Sequence, residues 1–490
     1  MLKMKSIKVN VILNFIKTLM GVIFPLITFP YVARILQANY LGKVTYAQSI
    51  VSYFALIAAL GISTYAVREG AKIRENKYQL QQFANEVFTI NIITTIGAYI
   101  LLAILLLIVK DLSQYSKLIL LLSSSILFTT IGVDWLNVIF EDYFVITIRS
   151  ICIQVLNLVL LFIFVKNERD YYIYAFLTVF SQIIICIWNF FYCRKYIKVR
   201  VIIQCKFLKH IKPLLIFFSN NLAVTIYCYA DSTMIGWLVS DYCVGIYSVA
   251  VKVYTILKTL LASVFAVCIP RLSFYYGNND QTNFRTLLNS ILSCLILVLL
   301  PAMTGLIVLA KPIIMFLGGS GYQDAILTLR ILSVALVFAI VGGIFTNCAN
   351  IPMGKEKINL RATIIAAILN VSLNFFMIPI MKQNGAAITT VLAEISVVVI
   401  CLLSNQRLKT VFDWNIVFRN SVHAILESTF IIVLYFIMYP LVKSEFLLCV
   451  IIVVCSLISY IFLLIILKNP YIYILLRKAE EIIKNKQKRN

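Results

Sequence analysis

Residues 231–254 read DSTMIGWLVSDYCVGIYSVAVKVY. Two apolar runs flank a short polar turn, with Asp231 in the first and Lys252 in the second, as in a membrane hairpin that carries charge on both arms. A shift of 203 positions lays Gly245, Ser248, Ala250 and Arg271 on Gly42, Thr45, Ala47 and Arg68. The chain therefore reads as two related halves, with Asp231 and Lys252 standing where the first half has Thr28 and Ser49.

The surrounding composition fixes the class. Of 490 residues, 62% are hydrophobic and 13% charged, against about 45–50% and about 25% in average soluble domains. Apolar runs of about 20 residues, the length that crosses roughly 30 Å of hydrocarbon, recur along the whole chain. This predicts an all-α polytopic membrane protein of about fourteen transmembrane helices. The first run, from residue 10 to 32, has no small-residue cleavage site after it and is expected to be a retained span.

Lys and Arg concentrate at the termini and in alternate gaps, which predicts cytoplasmic termini. The formal charge of +23 is then a matter of topology and gives no reason to expect nucleic acid as a partner. The longest internal polar gap, residues 194–212, holds Arg194, Lys195, Lys198, Arg200, Lys206, Lys209 and Lys212. It reads as a linker between the halves or as a contact for anionic lipid headgroups. The tail 468–490 reads as an interfacial basic helix or a solvated end.

An ionisable group inside a span costs at least about 2.5–3.5 kcal/mol on insertion scales and is expected to face a partner or a wet cavity. The candidates are Lys17, Glu86, Asp134, Asp231, Lys252, Lys258, Arg330, Glu394, His423 and Glu427. Glu86, Asp134, Arg330 and His423 lie close enough to span ends to reach the interface. Asp231 and Lys252 suit a buried ion pair between spans seven and eight. They equally suit a cavity in which Lys252, with Lys17 and Lys258, offers positive charge to an anionic substrate. Lys252 and Lys258 stand about 120° apart around a helix and do not share a face. Asp231, Glu394 and Glu427 are candidates for ion coupling or charge pairing. Gly21 and Pro25 are the expected hinge of the first span, because a proline removes a hydrogen bond and crowds the carbonyl four residues back.

No Walker loop, nucleophile motif or metal-ligand spacing occurs, so no catalytic or metal-binding residue and no cofactor is expected. The twelve cysteines lie in apolar runs and read as small buried side chains. The outer gaps are too short for an external catalytic domain. The chain is read as a transporter.

Three stretches carry a resemblance: FPLITFPYVARILQANYLGKVTYAQSIVSYFALIAALGIS (24–63), DWLNVIFEDYFVITIRS (134–150), and the hairpin 231–254 followed by Pro270 and Arg271. The chain resembles bacterial polysaccharide flippases of the O-antigen type, within the multidrug, oligosaccharidyl-lipid and polysaccharide exporter superfamily. The resemblance implies pseudo-symmetric six-helix bundles at 1–193 and 213–404, two extra spans in 405–467, and a bacterial inner-membrane location. It implies alternating-access transfer of an undecaprenyl-diphosphate-linked oligosaccharide to the outer leaflet, with membrane lipids and polysaccharide polymerase machinery as partners. A cationic cavity for the head group is matched by Lys17, Lys252 and Lys258, with Arg34 and Arg68 as further positions. Proton or sodium coupling is open. The chain departs from the family's WxxQ pattern, having Asn137 and Val138 after Trp135. The rivals are a cation-coupled multidrug exporter of the same fold and a membrane polysaccharide polymerase or ligase.

Overall fold

The computed structural model describes residues 7–202 and 207–471, and among them only helices and connecting turns occur. Helices are what hydrocarbon permits, because they satisfy backbone N–H and C=O groups within one segment. The tail expected at 468–490 lies outside the described residues beyond Tyr471.

The chain divides into two compact units, residues 1–248 and 249–490. The first holds α1 (Ile7–Ala59), α2 (Ile62–Lys72), α3 (Lys77–Ile108), α4 (Ser116–Gly132), α5 (Trp135–Ile139), α6 (Tyr143–Phe164), α7 (Tyr171–Tyr192), α8 (Phe207–Leu238) and the first turns of α9 (Asp241–Gly277). The rest of α9 enters the second unit. There it is followed by α10 (Gln281–Val308), α11 (Ala310–Gly318), α12 (Ala325–Gly343), a π-helical stretch Ile344–Asn350, α13 (Glu356–Ser404), α14 (Arg407–Val411), α15 (Trp414–Met438) and α16 (Glu445–Ile466). The basic segment expected to link the halves packs within the first unit, as does α8, which lies against α1.

Twelve helical stretches among the described residues are long and apolar enough to cross a membrane. Two are overlong. At 1.5 Å per residue, the 53 residues of α1 and 49 of α13 would run roughly 80 and 74 Å, against about 30 Å of hydrocarbon. Each is broken once, at Gln37 (φ 57°, ψ 169°) and at Lys382 (φ 52°, ψ −133°), which divides it into two shorter segments. Across the second break the Thr389 hydroxyl donates to Asn374 at 2.5 Å and Asn370 donates to Thr389 at 3.3 Å, so α13 folds back on itself. In α1 the break is at Gln37 and the dihedrals stay helical through Gly21, Pro25 and Pro30.

The 203-residue offset has a physical counterpart within the first unit. A Cβ on Gly42 would lie 1.8 Å from the Asp241 carbonyl oxygen, and a Cβ on Gly245 1.9 Å from that of Ala38. The offset exchanges Gly42 with Gly245 and Ala38 with Asp241, so the two contacts are one contact made twice. Small residues four apart let helix backbones approach this closely in membranes. The offset also sets the break at Gln37 opposite the turn at Ser240 between α8 and α9.

Gly245→Ala should destabilise the detergent-solubilised protein by the order of 1–3 kcal/mol expected of overpacking, read as a lower unfolding temperature. Gly305→Ala, where the added methyl meets nothing within 4 Å, should leave it unchanged or slightly higher. Equal behaviour of the two variants would contradict the close-contact assignment.

Candidate functional site

In the first unit the polar residues converge where α4 ends. Val133 takes a left-handed conformation (φ 40°) after Gly132 and turns the chain into α5. Asp134 at this turn accepts from Arg149 Nη2 of α6 and from Asn189 Nδ2 of α7, both at 3.0 Å. Arg149 also donates to Asn189 Oδ1, which accepts from Asn137 at 2.9 Å. Arg149 is 4% exposed and Asn137 and Asn189 are fully buried. Burial alone would raise the Asp134 carboxyl, but the Arg149 charge, the hydrogen bonds from Asn189 and Arg149, and the more distant Lys17 charge together hold it below its ordinary value. Asp134 also borders a cavity of about 110 Å³ lined by Ser63, Asn91, Thr129 and Thr130.

A second buried group ties α8 to the helices before it. His210 is fully buried, with Nε2 2.8 Å from Glu86 of α3 and Nδ1 2.7 Å from the Tyr65 hydroxyl of α2. Further along α8, Asp231 is 5% exposed and accepts from the Tyr247 hydroxyl at 2.5 Å.

In the second unit, Lys258 and Tyr254 lie one turn apart on α9 and meet Glu394 of α13. Lys258 Nζ is 2.7 Å and the Tyr254 hydroxyl 2.9 Å from the same oxygen, Glu394 Oε1. Lys252 is half-buried on the same helix. Glu427 of α15 is 1% exposed and accepts from the Ser459 hydroxyl of α16 at 2.9 Å.

The structure places the expected residues differently. Lys258 is brought together with Glu394, whereas Lys17 is placed within electrostatic reach of Asp134. Arg34 and Arg68 are exposed; Arg68 pairs with Glu69 at 2.8 Å and its guanidinium lies 5.0 Å from the Phe217 ring centroid. Gly21 is exposed with open space around it, and Pro25 is half-buried. Sequence reasoning missed Arg149, which lies inside the fifth expected span, together with Asn189; it singled out Glu86 but not its partners His210 and Tyr65. The signal for Arg149 was a single cation within VITIRSICIQV.

Comparisons with known proteins bear on the family and the fold. The family model described as Polysaccharide biosynthesis protein matches residues 7–275, and the one described as MatE matches residues 217–376. A protein of Shigella dysenteriae named "Putative O-antigen transporter" is 24% identical over 402 residues, covering 81% of this chain and 99% of its own. A protein of the same name from Escherichia coli K12 is 22% identical, covering 81% and 96%. Among solved structures, the lipid II flippase MurJ in an inward closed conformation superposes with a TM-score of 0.70 at 18% identity, covering 95% of this chain and 99% of MurJ. An inward-facing multidrug resistance transporter of the MATE family gives 0.58 at 15% identity, covering 80% and 98%. The likeness to these two structures establishes the fold.

Lys258→Met leaves Glu394 buried without its cation and should destabilise the protein by about 3 kcal/mol, the lower end for a broken buried pair because Lys258 is partly exposed. Adding Glu394→Gln should restore most of that in thermal unfolding. Asp134→Asn should unfold at lower temperature than the wild type at pH 7. The depressed carboxyl stabilises the fold above its unfolded value and stops doing so as pH falls through its folded value, so the gap should close below about pH 4.

Proposed function

Because the chain belongs to the polysaccharide biosynthesis protein family, whose model spans residues 7–275, we propose that it is a flippase for lipid-linked oligosaccharides. The observation that carries this reading is the near full-length match to O-antigen transporters in a chain that keeps Lys17, Lys252, Lys258 and Arg149 within its membrane spans. It is a multi-pass membrane protein and a transporter, not an enzyme.

The finer reading follows from chemistry. A sugar unit on undecaprenyl diphosphate carries its negative charge next to the polyprenyl tail. The tail is at home in lipid; the diphosphate is not, since each bare charge in hydrocarbon costs several kcal/mol. A cation in the path lowers that cost. Lys17, Lys252, Lys258, Arg34 and Arg68 are each proposed as contacts for the anionic head group, and Asp231, Glu394 and Glu427 as candidate carriers of a coupling proton or sodium ion. The orientation we propose puts both termini in the cytoplasm of a bacterial inner membrane, so that the unit is taken from the leaflet where it is made and delivered outside to polymerising machinery. The breaks at Gln37 and Lys382 concentrate backbone departures at single residues. Lone residues in such sparsely populated conformations are where bent helices store about 1–3 kcal/mol of strain.

The test is transfer of a fluorescent undecaprenyl-diphosphate-linked oligosaccharide across proteoliposomes holding the purified protein. Wild type should move it. Lys252→Ala should slow transfer at least tenfold at unchanged protein level. Wild-type protein that leaves the lipid-linked sugar in place but exports cationic drugs against a gradient would move the assignment to the multidrug rival, and normal transfer by Lys252→Ala would make that lysine structural.

A further inference from the structure

The basic segment after α7 is held in a fixed path rather than left as a loose connection. At its start, Asp142 gathers three groups: the Tyr192 hydroxyl, the Tyr196 hydroxyl at 2.7 Å and Lys195 Nζ at 3.3 Å. Tyr196 stacks on Phe140 with ring centroids 4.1 Å apart and planes at 9°. Beyond it the chain runs extended along α3. Gln81 accepts from the Lys198 N–H at 3.3 Å and donates to the Lys198 carbonyl at 2.7 Å. Asn85 accepts from the Arg200 N–H at 2.9 Å, and Thr89 from the Ile202 N–H at 3.0 Å.

The spacing explains the fit. Gln81, Asn85 and Thr89 lie four apart, about 6 Å per step along a helix. The backbone groups they hold lie two apart, about 6.6 Å per step along an extended chain. The two repeats match closely enough for three rungs. Residues two apart in an extended chain point their side chains the same way, so the ladder commits Lys198 and Arg200 to one side.

Beside the ladder lies a cavity of about 360 Å³, lined by Phe190, Arg194, Lys198 and Arg200 and also by Ile197 and Val199. Lys195 is engaged by Asp142, while Arg194, Lys198 and Arg200 all border the cavity and are exposed. Adjoining it on α7 is an open apolar groove formed by Ile184, Ile187, Trp188, Phe191 and Tyr192. Arg194 joins the two, with its guanidinium carbon 4.2 Å from the Phe190 ring centroid and 5.7 Å from that of Phe191. Trp188 is 49% and Phe191 65% exposed, on a helix that spans the membrane.

We propose that this is a binding site for one anionic glycerophospholipid of the surrounding leaflet, its phosphate among Arg194, Lys198 and Arg200 and an acyl chain along the α7 groove. The three cations give the charge complementarity, and the apolar groove beside them selects a ligand with a chain over a soluble anion. The bilayer supplies such a lipid at high local concentration, and basic juxtamembrane clusters attract it. The site lies wholly in the first unit and does not depend on what the transporter carries.

Full-length protein, exchanged into nanodiscs of equimolar phosphatidylglycerol and phosphatidylcholine and then stripped in mild detergent, should retain phosphatidylglycerol in at least fivefold excess. The variant Arg194→Ala/Lys198→Ala/Arg200→Ala should lose at least four-fifths of that excess, while Arg194→Lys/Arg200→Lys keeps most of it. Gln81→Ala/Asn85→Ala, which leaves every charge but releases the segment, should also lower it. Equal retention of the two lipids by wild type would overturn the proposal. So would undiminished excess in a triple-alanine variant that unfolds at the wild-type temperature. Displacement of the bound lipid by millimolar glycerol phosphate would assign the cavity to a soluble phosphate instead.

Discussion

A charge in hydrocarbon must bring its own solvation, and in this chain that solvation comes from another helix. Glu394 of α13 is met from α9, Glu86 of α3 from α8 and α2, Asp231 of α8 from α9, and Glu427 of α15 from α16. Asp134 at the α4–α5 turn is met from α6 and α7. Apolar packing alone orients membrane helices weakly, because lipid tails are as apolar as the side chains they replace. Each polar tie therefore fixes a helix pair and its register, and the cost of breaking it is the cost of a bare charge. The ties make the acidic residues structural before they are anything else.

The internal repeat rests on a different constraint, backbone contact. Gly42 and Gly245 had to be glycine because a carbonyl of the partner helix occupies the place of a Cβ. That requirement is stricter than side-chain pairing, and the offset shows mainly through small residues, whereas Asp231 and Lys252 stand opposite Thr28 and Ser49. Where the chain had to turn, local chemistry was a poorer guide. Prolines pointed to a hinge near Gly21 and Pro25, yet both prolines of α1 are accommodated with helical dihedrals and the break falls on Gln37. A glutamine carries no mark of a turn, and the constraint there is the length of the helix against the thickness of the bilayer.

The class of fold was legible because hydropathy is a sum over twenty residues. The sites were less so, because they depend on one residue and a partner far along the chain. Arg149 vanishes within an apolar average and gains meaning only beside Asp134 and Asn189, 15 and 40 positions away. His210 and Glu86 are separated by 124 positions. The basic stretch after α7 looked like a linker because polarity is what linkers and pinned segments have in common. Gln81, Asn85 and Thr89 do form a polar stripe of helical spacing in the sequence, but an extended chain of matching step is needed to turn that stripe into a ladder.

Lys258 shows that an ion pair and an accessible charge are compatible in one side chain. Glu394 compensates the lysine, and without that the charge would not tolerate its surroundings. Compensation does not hide it: the Glu394 side chain is 6% exposed and that of Lys258 32%. An anion can approach the lysine from its open side while the carboxylate keeps its hold from the buried one, and as it arrives the pair becomes a triad with excess negative charge. The pairing that makes Lys258 tolerable in the membrane therefore still leaves part of its side chain accessible.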